Sequence, residues 1–228
     1  MDTPPYYLTL PATPLDAATK QDFLHLWNEV QAQTPHVLID YTLSAPKWQF
    51  LNYLVEHGAV LLHGSGRSDI ARFEPRQPID LTEFGAQRAV YAASDSIWAM
   101  FFAIIDRDNY GIQMINACYR VWQGLTRSDA YYYFSVNWDA WLQSPWRSGT
   151  IYLLPAETFT QQPRGVHDDS EIEIAQWVSR EPVVPLARLA VEPADFPFLD
   201  QVLAHDPDVV FARAQADPNG FPWRNAED

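Results

Sequence analysis

Two short segments combine residue types that could bind a ligand at the ends of strands. A buried apolar run ends in His63-Gly64-Ser65, and a second run, residues 90–93, carries Tyr91 shortly before a helix. Small residues after a histidine let a ligand approach the main chain closely, and a tyrosine ring offers a surface for stacking. The residue types therefore make His63 and Tyr91 candidates for a shared binding site.

The segments around these residues follow one another in a specific order. The strand that ends in His-Gly-Ser is followed by a long loop from Arg67 to Gln87, a strand with Tyr-Ala-Ala-Ser, an apolar helix and several late strands. This order resembles the ADP-ribosyltransferase fold of the diphtheria-toxin and poly(ADP-ribose) polymerase type, over residues 59–191. The resemblance implies an α+β fold with a split, mostly antiparallel sheet, in which three core strands carry a His-Tyr-Glu triad around NAD.

The resemblance also implies a role for each matching residue. His63 matches the histidine that hydrogen-bonds a ribose of NAD, and Gly64, with Ser65 beside it, matches the glycine whose main chain holds the nicotinamide amide. Tyr91 matches the tyrosine that stacks on the nicotinamide ring. The loop 67–87 occupies the place of the family's donor-site lid. NAD is thus the implied co-substrate, and no metal is implied.

The sequence departs from the family at the catalytic glutamate. In the matching stretch Ala175-Gln176-Trp177-Val178-Ser179, the glutamate is replaced by Gln176. A carboxylate ~4 Å from the positive charge that develops on the ribose contributes about 4 kcal/mol, or roughly a thousandfold in rate, and an amide lacks this charge. Glu173 is the reserve candidate. On an unbroken strand Glu171 and Glu173 face one side and Gln176 the other, and a bulge would change this parity.

Four functions are compatible with these residues. The first is transfer of ADP-ribose from NAD to an unknown acceptor (mono-ADP-ribosylation, a glycosyltransferase reaction) or hydrolysis of NAD. The second is a catalytically degenerate module that binds NAD or ADP-ribose, which Gln176 favours. An RNA 2′-phosphotransferase-like enzyme and an acidic interaction protein are the remaining alternatives.

The elements that position these residues divide the chain into three segments. We expect an N-terminal helical extension over 1–58, an ADP-ribosyltransferase-like core over 59–191, and a C-terminal helix with an acidic tail over 192–228. Asp16 and Asp95 are expected helix caps. Expected helices are 16–33, 46–57, 97–105 and 195–216; expected strands are 37–41, 59–62, 89–92, 131–136, 150–154, 172–179 and 184–191, and 108–123 fits either type.

Composition restricts the partners. The 228 residues carry a formal net charge of −14, which repels phosphate backbones and disfavours nucleic-acid binding. The single cysteine, Cys118, excludes an internal disulfide and favours a reducing, cytoplasmic setting. The sequence shows no signal-peptide pattern and no apolar run of the ~18 residues that span a bilayer, so we expect no membrane association.

Overall fold

The computed structural model describes residues 6–10, 14–33, 35–58, 60–77, 84–167 and 170–224. Five α-helices and thirteen strands lie in this part of the chain. In chain order they are α1 (Ala17–Gln31), β1 (Val37–Leu38), α2 (Lys47–Glu56), β2 (Val60–Ser65), β3 (Val90–Ala93), α3 (Ser96–Ile104), β4 (Met114–Gln123), β5 (Thr126–Arg127), β6 (Tyr131–Asn137), α4 (Trp138–Trp141), β7 (Gly149–Pro155), β8 (Thr160–Gln161), β9 (Gly165–His167), β10 (Ser170–Ile174), β11 (Gln176–Ser179), β12 (Ala187–Val191), β13 (Leu203–His205) and α5 (Pro207–Ala216).

The strands form two sheets, which we call the first and the second sheet. The first has the order β1-β12-β7-β2-β3-β11-β8, and the second has the order β13-β6-β4-β10-β9, with β5 paired to β4. Only the β1–β12 and β13–β6 pairs are parallel among the described strands. The predicted α+β class with mostly antiparallel sheets is confirmed.

The apolar helix α3 lies between the two sheets. Its Ala99 and Ala103 main chain approaches the first sheet at Gly64 and Gly149, where a Cβ atom would lie 1.9 Å and 2.0 Å from a helix carbonyl oxygen. On its other side, the Phe101 ring centroid is 4.6 Å from that of Phe134 on β6. The two glycines therefore let α3 pack directly against the strands that carry the candidate site.

Side-chain caps start the helices where the sequence predicts them. Asp16 accepts a hydrogen bond from the Thr19 amide at 2.7 Å, and Asp95 accepts one from the Trp98 amide at 3.0 Å. Each bond satisfies an amide that has no partner within the helix. The cap at Asp95 fixes the point where β3 ends and α3 begins.

The predicted strand 172–179 is two strands. Ala175 separates β10, which belongs to the second sheet, from β11, which belongs to the first. At this break the Ala175 amide donates to the Cys118 carbonyl at 3.2 Å, and its own carbonyl accepts from the Ser94 amide at 2.9 Å. The chain therefore passes from the second sheet to the first at a single residue, Ala175.

Other predicted elements differ in extent or in type. Met114–Gln123 is a strand, which settles the segment that fitted either type. The predicted helix 195–216 is wrong over its first half, which forms the 3₁₀ turn Leu199–Gln201 and the strand Leu203–His205 before α5 begins at Pro207. Asp206 caps that helix, and Pro207 is suited to its first turn because the amide it lacks would have no partner there.

The three predicted segments contribute to one hydrophobic core. Phe23 and Phe50 from the first segment, Ile97 from the second and Phe198 from the third belong to the same cluster of buried side chains. In the described part of the chain, no helix is both long and apolar enough to cross a bilayer.

Candidate functional site

The three residues of the predicted triad lie on three neighbouring strands. His63 is on β2, Tyr91 is on β3, and Gln176 begins β11; these strands are adjacent in that order in the first sheet. Gln176 pairs with Ala93, and Ala93 pairs with Leu62, the residue before His63. The sheet therefore brings together main-chain positions that are far apart in sequence.

β2 and β3 separate next to His63. Leu62–Ala93 is the single pair recorded between these strands in the described chain, whereas β2 stays paired with β7 as far as Ser65. The His63 side chain bridges the gap, with its Nδ1 atom 2.6 Å from the Tyr91 carbonyl oxygen. The sheet is thus split beside the candidate histidine, and the edge of β2 that includes Gly64 faces the split.

His63 is held as a neutral imidazole with a defined tautomer. Because a carbonyl oxygen only accepts hydrogen bonds, Nδ1 carries the hydrogen and Nε2 is left as an acceptor. Burial lowers the pKa of His63 below its ordinary value; the bond to Tyr91 opposes this shift, and the positive charges of Arg107 and Arg76 reinforce it. The ring also packs against Phe73, with 4.6 Å between centroids. His63 can therefore accept a hydrogen bond from a ligand hydroxyl.

Tyr91 is fixed through its hydroxyl group. The hydroxyl lies 2.5 Å from the Gly85 carbonyl oxygen and 2.7 Å from that of Gln87, both of which are acceptors. The single hydroxyl hydrogen is donated to one of these carbonyls or shared between them, and this contact holds the end of the loop 67–87 against β3. Residues 78–83 of this predicted lid lie outside the described part of the chain.

Gly64 and Ser65 have structural contacts of their own. A side chain at Gly64 would collide with the α3 main chain, so glycine is needed for packing whatever ligand role it has. The Ser65 hydroxyl accepts from the Arg67 amide at 3.1 Å and shapes the turn after β2. Contact of either residue with NAD stays a prediction.

The two candidate catalytic residues belong to different sheets. Gln176 begins β11, while Glu173 is on β10, opposite Arg120 of β4. The break at Ala175 removes the unbroken strand on which the parity argument depended. Glu173 thus cannot replace Gln176 by a simple shift of register along one strand.

Glu173 is a buried and ionised carboxylate, with 5% of its surface exposed. It accepts hydrogen bonds from Trp122 at 2.7 Å and from Arg127. Burial works to raise the pKa of Glu173, but these two bonds and the charges of Arg127 and Arg120 outweigh it and leave the pKa below its ordinary value. The carboxylate is therefore charged at neutral pH and occupied by partners.

A cavity of about 250 Å³ opens beside Glu173. It lies between α2 and the break in the β10–β11 strand, and its polar wall includes Ser94, Arg120, Arg127, Gln161 and Trp177. The sequence analysis missed Arg120, Arg127 and Trp177 as site residues. The available signal was Arg120 among the mostly apolar residues of β4, although its ion-pair partner, Asp95, comes from the start of α3 and not from the opposing strand.

Two other features resemble sites but are separate from the triad. A larger cavity of about 410 Å³ lies between α1 and residues 38–43, at the β1 edge of the first sheet, three strands from β2. The Ser135 hydroxyl lies 2.6 Å from Nδ1 of His205, but Ser135 has no exposed surface and is closed to a substrate. Among the described residues, no cluster of His, Cys, Asp and Glu could hold a metal ion.

Comparisons with known proteins add no relative: no family model matches the chain, and no curated protein or solved structure matches it.

Proposed function

We propose that this protein binds NAD in the split between β2 and β3 and transfers its ADP-ribose to an acceptor or to water. The placement of the main chains of His63, Tyr91 and Gln176 on three adjacent strands supports this proposal most directly. It is the order in which the resembled family carries its histidine, tyrosine and glutamate. The strand register directs the His63 side chain to the face opposite those of Tyr91 and Gln176, so bound NAD would contact both faces through the split. The catalytically degenerate NAD-binding module is the second candidate, because an amide stands at the third position.

Each feature of the split fits a part of NAD. Nε2 of neutral His63 can accept a ribose hydroxyl, and the edge of β2 at Gly64, which β3 leaves unpaired, can hydrogen-bond a carboxamide. Arg76 and Arg107 are close enough to lower the pKa of His63, and their charges would offset those of the two phosphates. The otherwise acidic chain thus places positive charge near the split.

Binding is tested first, by calorimetric titration of NAD into the wild type and His63→Ala. Loss of a hydrogen bond from this site should weaken binding about tenfold to a hundredfold. Thermal melts of both proteins establish that the variant is folded. Equal affinities, or no affinity in either protein, would exclude His63 as a ribose ligand.

The catalytic part of the proposal is tested by the substitution Gln176→Glu. The added carboxylate should raise nicotinamide release from NAD by roughly one to three powers of ten through the charge effect worked out above. Gln123→Glu, at the end of β4 in the second sheet, adds the same charge away from the split and is the matched control. A gain in both variants would refute the assignment of Gln176 to the triad.

Glu173→Gln separates the two functional candidates. Loss of wild-type nicotinamide release in this variant would assign the carboxylate role to Glu173. NAD binding without release in the wild type, in Gln176→Glu and in Glu173→Gln would support the binding module.

A further inference from the structure

Two residues that line the cavity beside Glu173 each have a buried hydrogen-bond donor without a partner. Nη1 of Arg120 and Nε1 of Trp177 are shielded from solvent, and neither has a hydrogen-bond partner among the described residues. A buried donor without a partner costs free energy, and native proteins leave few of them. Both residues line the same cavity, so one acceptor atom inside it could satisfy both.

Both arginines that line the cavity are already paired, and Glu56 at its wall adds a further negative charge. Nη2 of Arg120 donates to the fully buried Asp95 at 3.1 Å, and Arg127 is paired with Glu173. A bound anion would therefore add an unbalanced charge beside two buried carboxylates. An uncharged acceptor satisfies the free donors without this penalty.

The wall also offers groups that can accept a hydrogen bond. Ser94, Gln161 and Glu173 also line the cavity, and each has a side-chain oxygen that can accept a hydrogen bond. A ligand that presents a carbonyl oxygen to the two donors could therefore donate its own N–H groups to this side. Carboxamides and cyclic imides have such an acceptor and donor next to each other.

The volume limits the ligand to a small molecule. At about 250 Å³ the cavity is below the ~300–1,000 Å³ typical of sites for drug-sized ligands. A dinucleotide is too large, and a single ring with its polar substituents is the appropriate size. The cavity is thus distinct from a site that would hold the whole of NAD.

We propose that this cavity binds a small uncharged molecule of about one ring, a carboxamide or a cyclic imide, whose carbonyl oxygen accepts hydrogen bonds from Arg120 and Trp177. The lining of this site includes none of the residues His63, Gly64, Ser65, Tyr91 and Gln176 that the proposed NAD site uses. Its donors come from β4 and β11, and it does not include His63.

The test uses two pairs of ligands with matched rings. Uracil and nicotinamide are uncharged, whereas orotate and nicotinate are their carboxylate-bearing counterparts. Each is titrated into the ¹⁵N-labelled full chain while the tryptophan indole N–H signals are recorded by NMR. We expect uracil, nicotinamide or both to move the Trp177 signal, which is identified by its loss in Trp177→Phe, and the anions to bind more weakly.

Trp177→Phe is also the diagnostic variant for affinity. It removes one donor and keeps an aromatic ring, so affinity for the bound amide should fall about threefold to tenfold. The melting temperature should not fall, because the lost N–H has no partner in the free protein. His63→Ala should bind uracil as the wild type does, which separates this site from the split.

Three results would overturn the proposal. The first is no binding of any of the four compounds up to their solubility limits. The second is tighter binding of orotate or nicotinate than of the uncharged partner. The third is binding that leaves the Trp177 indole signal unmoved or is unchanged in Trp177→Phe.

Discussion

Replacing Gly64 with alanine tests how β2 is held against α3. The new Cβ would lie 1.9 Å from the Ala99 carbonyl oxygen, whereas ordinary contact begins at 3.4 Å. The helix and the strand must therefore separate by about 1.5 Å, and because the opposing atom belongs to main chain, no side-chain rotation relieves the contact. We expect a loss at the upper end of the overpacking range, about 3 kcal/mol.

Equilibrium unfolding in urea and thermal melting measure this loss. For a chain of this length, 1 kcal/mol shifts the melting temperature by roughly 2–4 °C, so the expected decrease is roughly 6–12 °C. Gly165→Ala is the matched control, because a Cβ at Gly165 has no heavy atom within 4 Å. A Gly64→Ala protein as stable as Gly165→Ala would refute the close approach of the helix.

Gly149→Ala provides a second test of the same contact. Its Cβ would lie 2.0 Å from the Ala103 carbonyl oxygen, one turn along α3 from Ala99. Either substitution displaces the same helix from the same sheet. The double variant should therefore lose less stability than the sum of the losses in the two single variants. Full additivity would mean that the two sites relax independently and that α3 does not move as one body.

Two further predictions concern the split. Because burial and the charges of Arg107 and Arg76 hold the pKa of His63 below its ordinary 6.5 despite the Tyr91 bond, the unfolded chain takes up a proton that the folded protein does not. The free energy of unfolding should therefore be unaffected by His63 above pH ~6.5 and should fall below that pH by up to about 1.4 kcal/mol per pH unit relative to His63→Gln. The same pH dependence of the free energy of unfolding in both proteins, measured in urea, would contradict this. Tyr91→Phe should lose about 1 kcal/mol and expose the segment 84–87 to faster proteolysis, and unchanged cleavage there would show that the hydroxyl does not hold the loop.

Elements whose limits depend on residues close in sequence could be predicted from the sequence. Asp95 before an uninterrupted apolar run predicts both the start of α3 and its burial between two layers, since the cap and the apolar surface are local properties. The strands that carry His63 and Tyr91 are local in the same way, although β2 continues past His63 to Ser65 and β3 past Tyr91 to Ala93. Their adjacency in one sheet was an expectation from segment order rather than from any single motif.

The break at Ala175 could not be predicted in this way. No glycine or proline marks it. It is determined by hydrogen bonds to Cys118 and Ser94, which lie more than fifty residues earlier in the chain. The helix predicted from residue 195 shows the opposite case, because Asp206 followed by Pro207 was a local start signal that the longer apolar pattern concealed.

The break also determines how the two proposed sites are related. Ala175 is bonded to both sheets, and it separates Glu173, which lines the cavity, from Gln176, which pairs beside the split. Trp177, a donor in the cavity, directly follows Gln176 on β11. A ligand that draws the Trp177 indole towards Arg120 therefore acts on the same short strand that positions the third triad residue. The two proposals together predict that filling the cavity changes the rate of NAD chemistry at Gln176 through β11, although their ligands contact different residues.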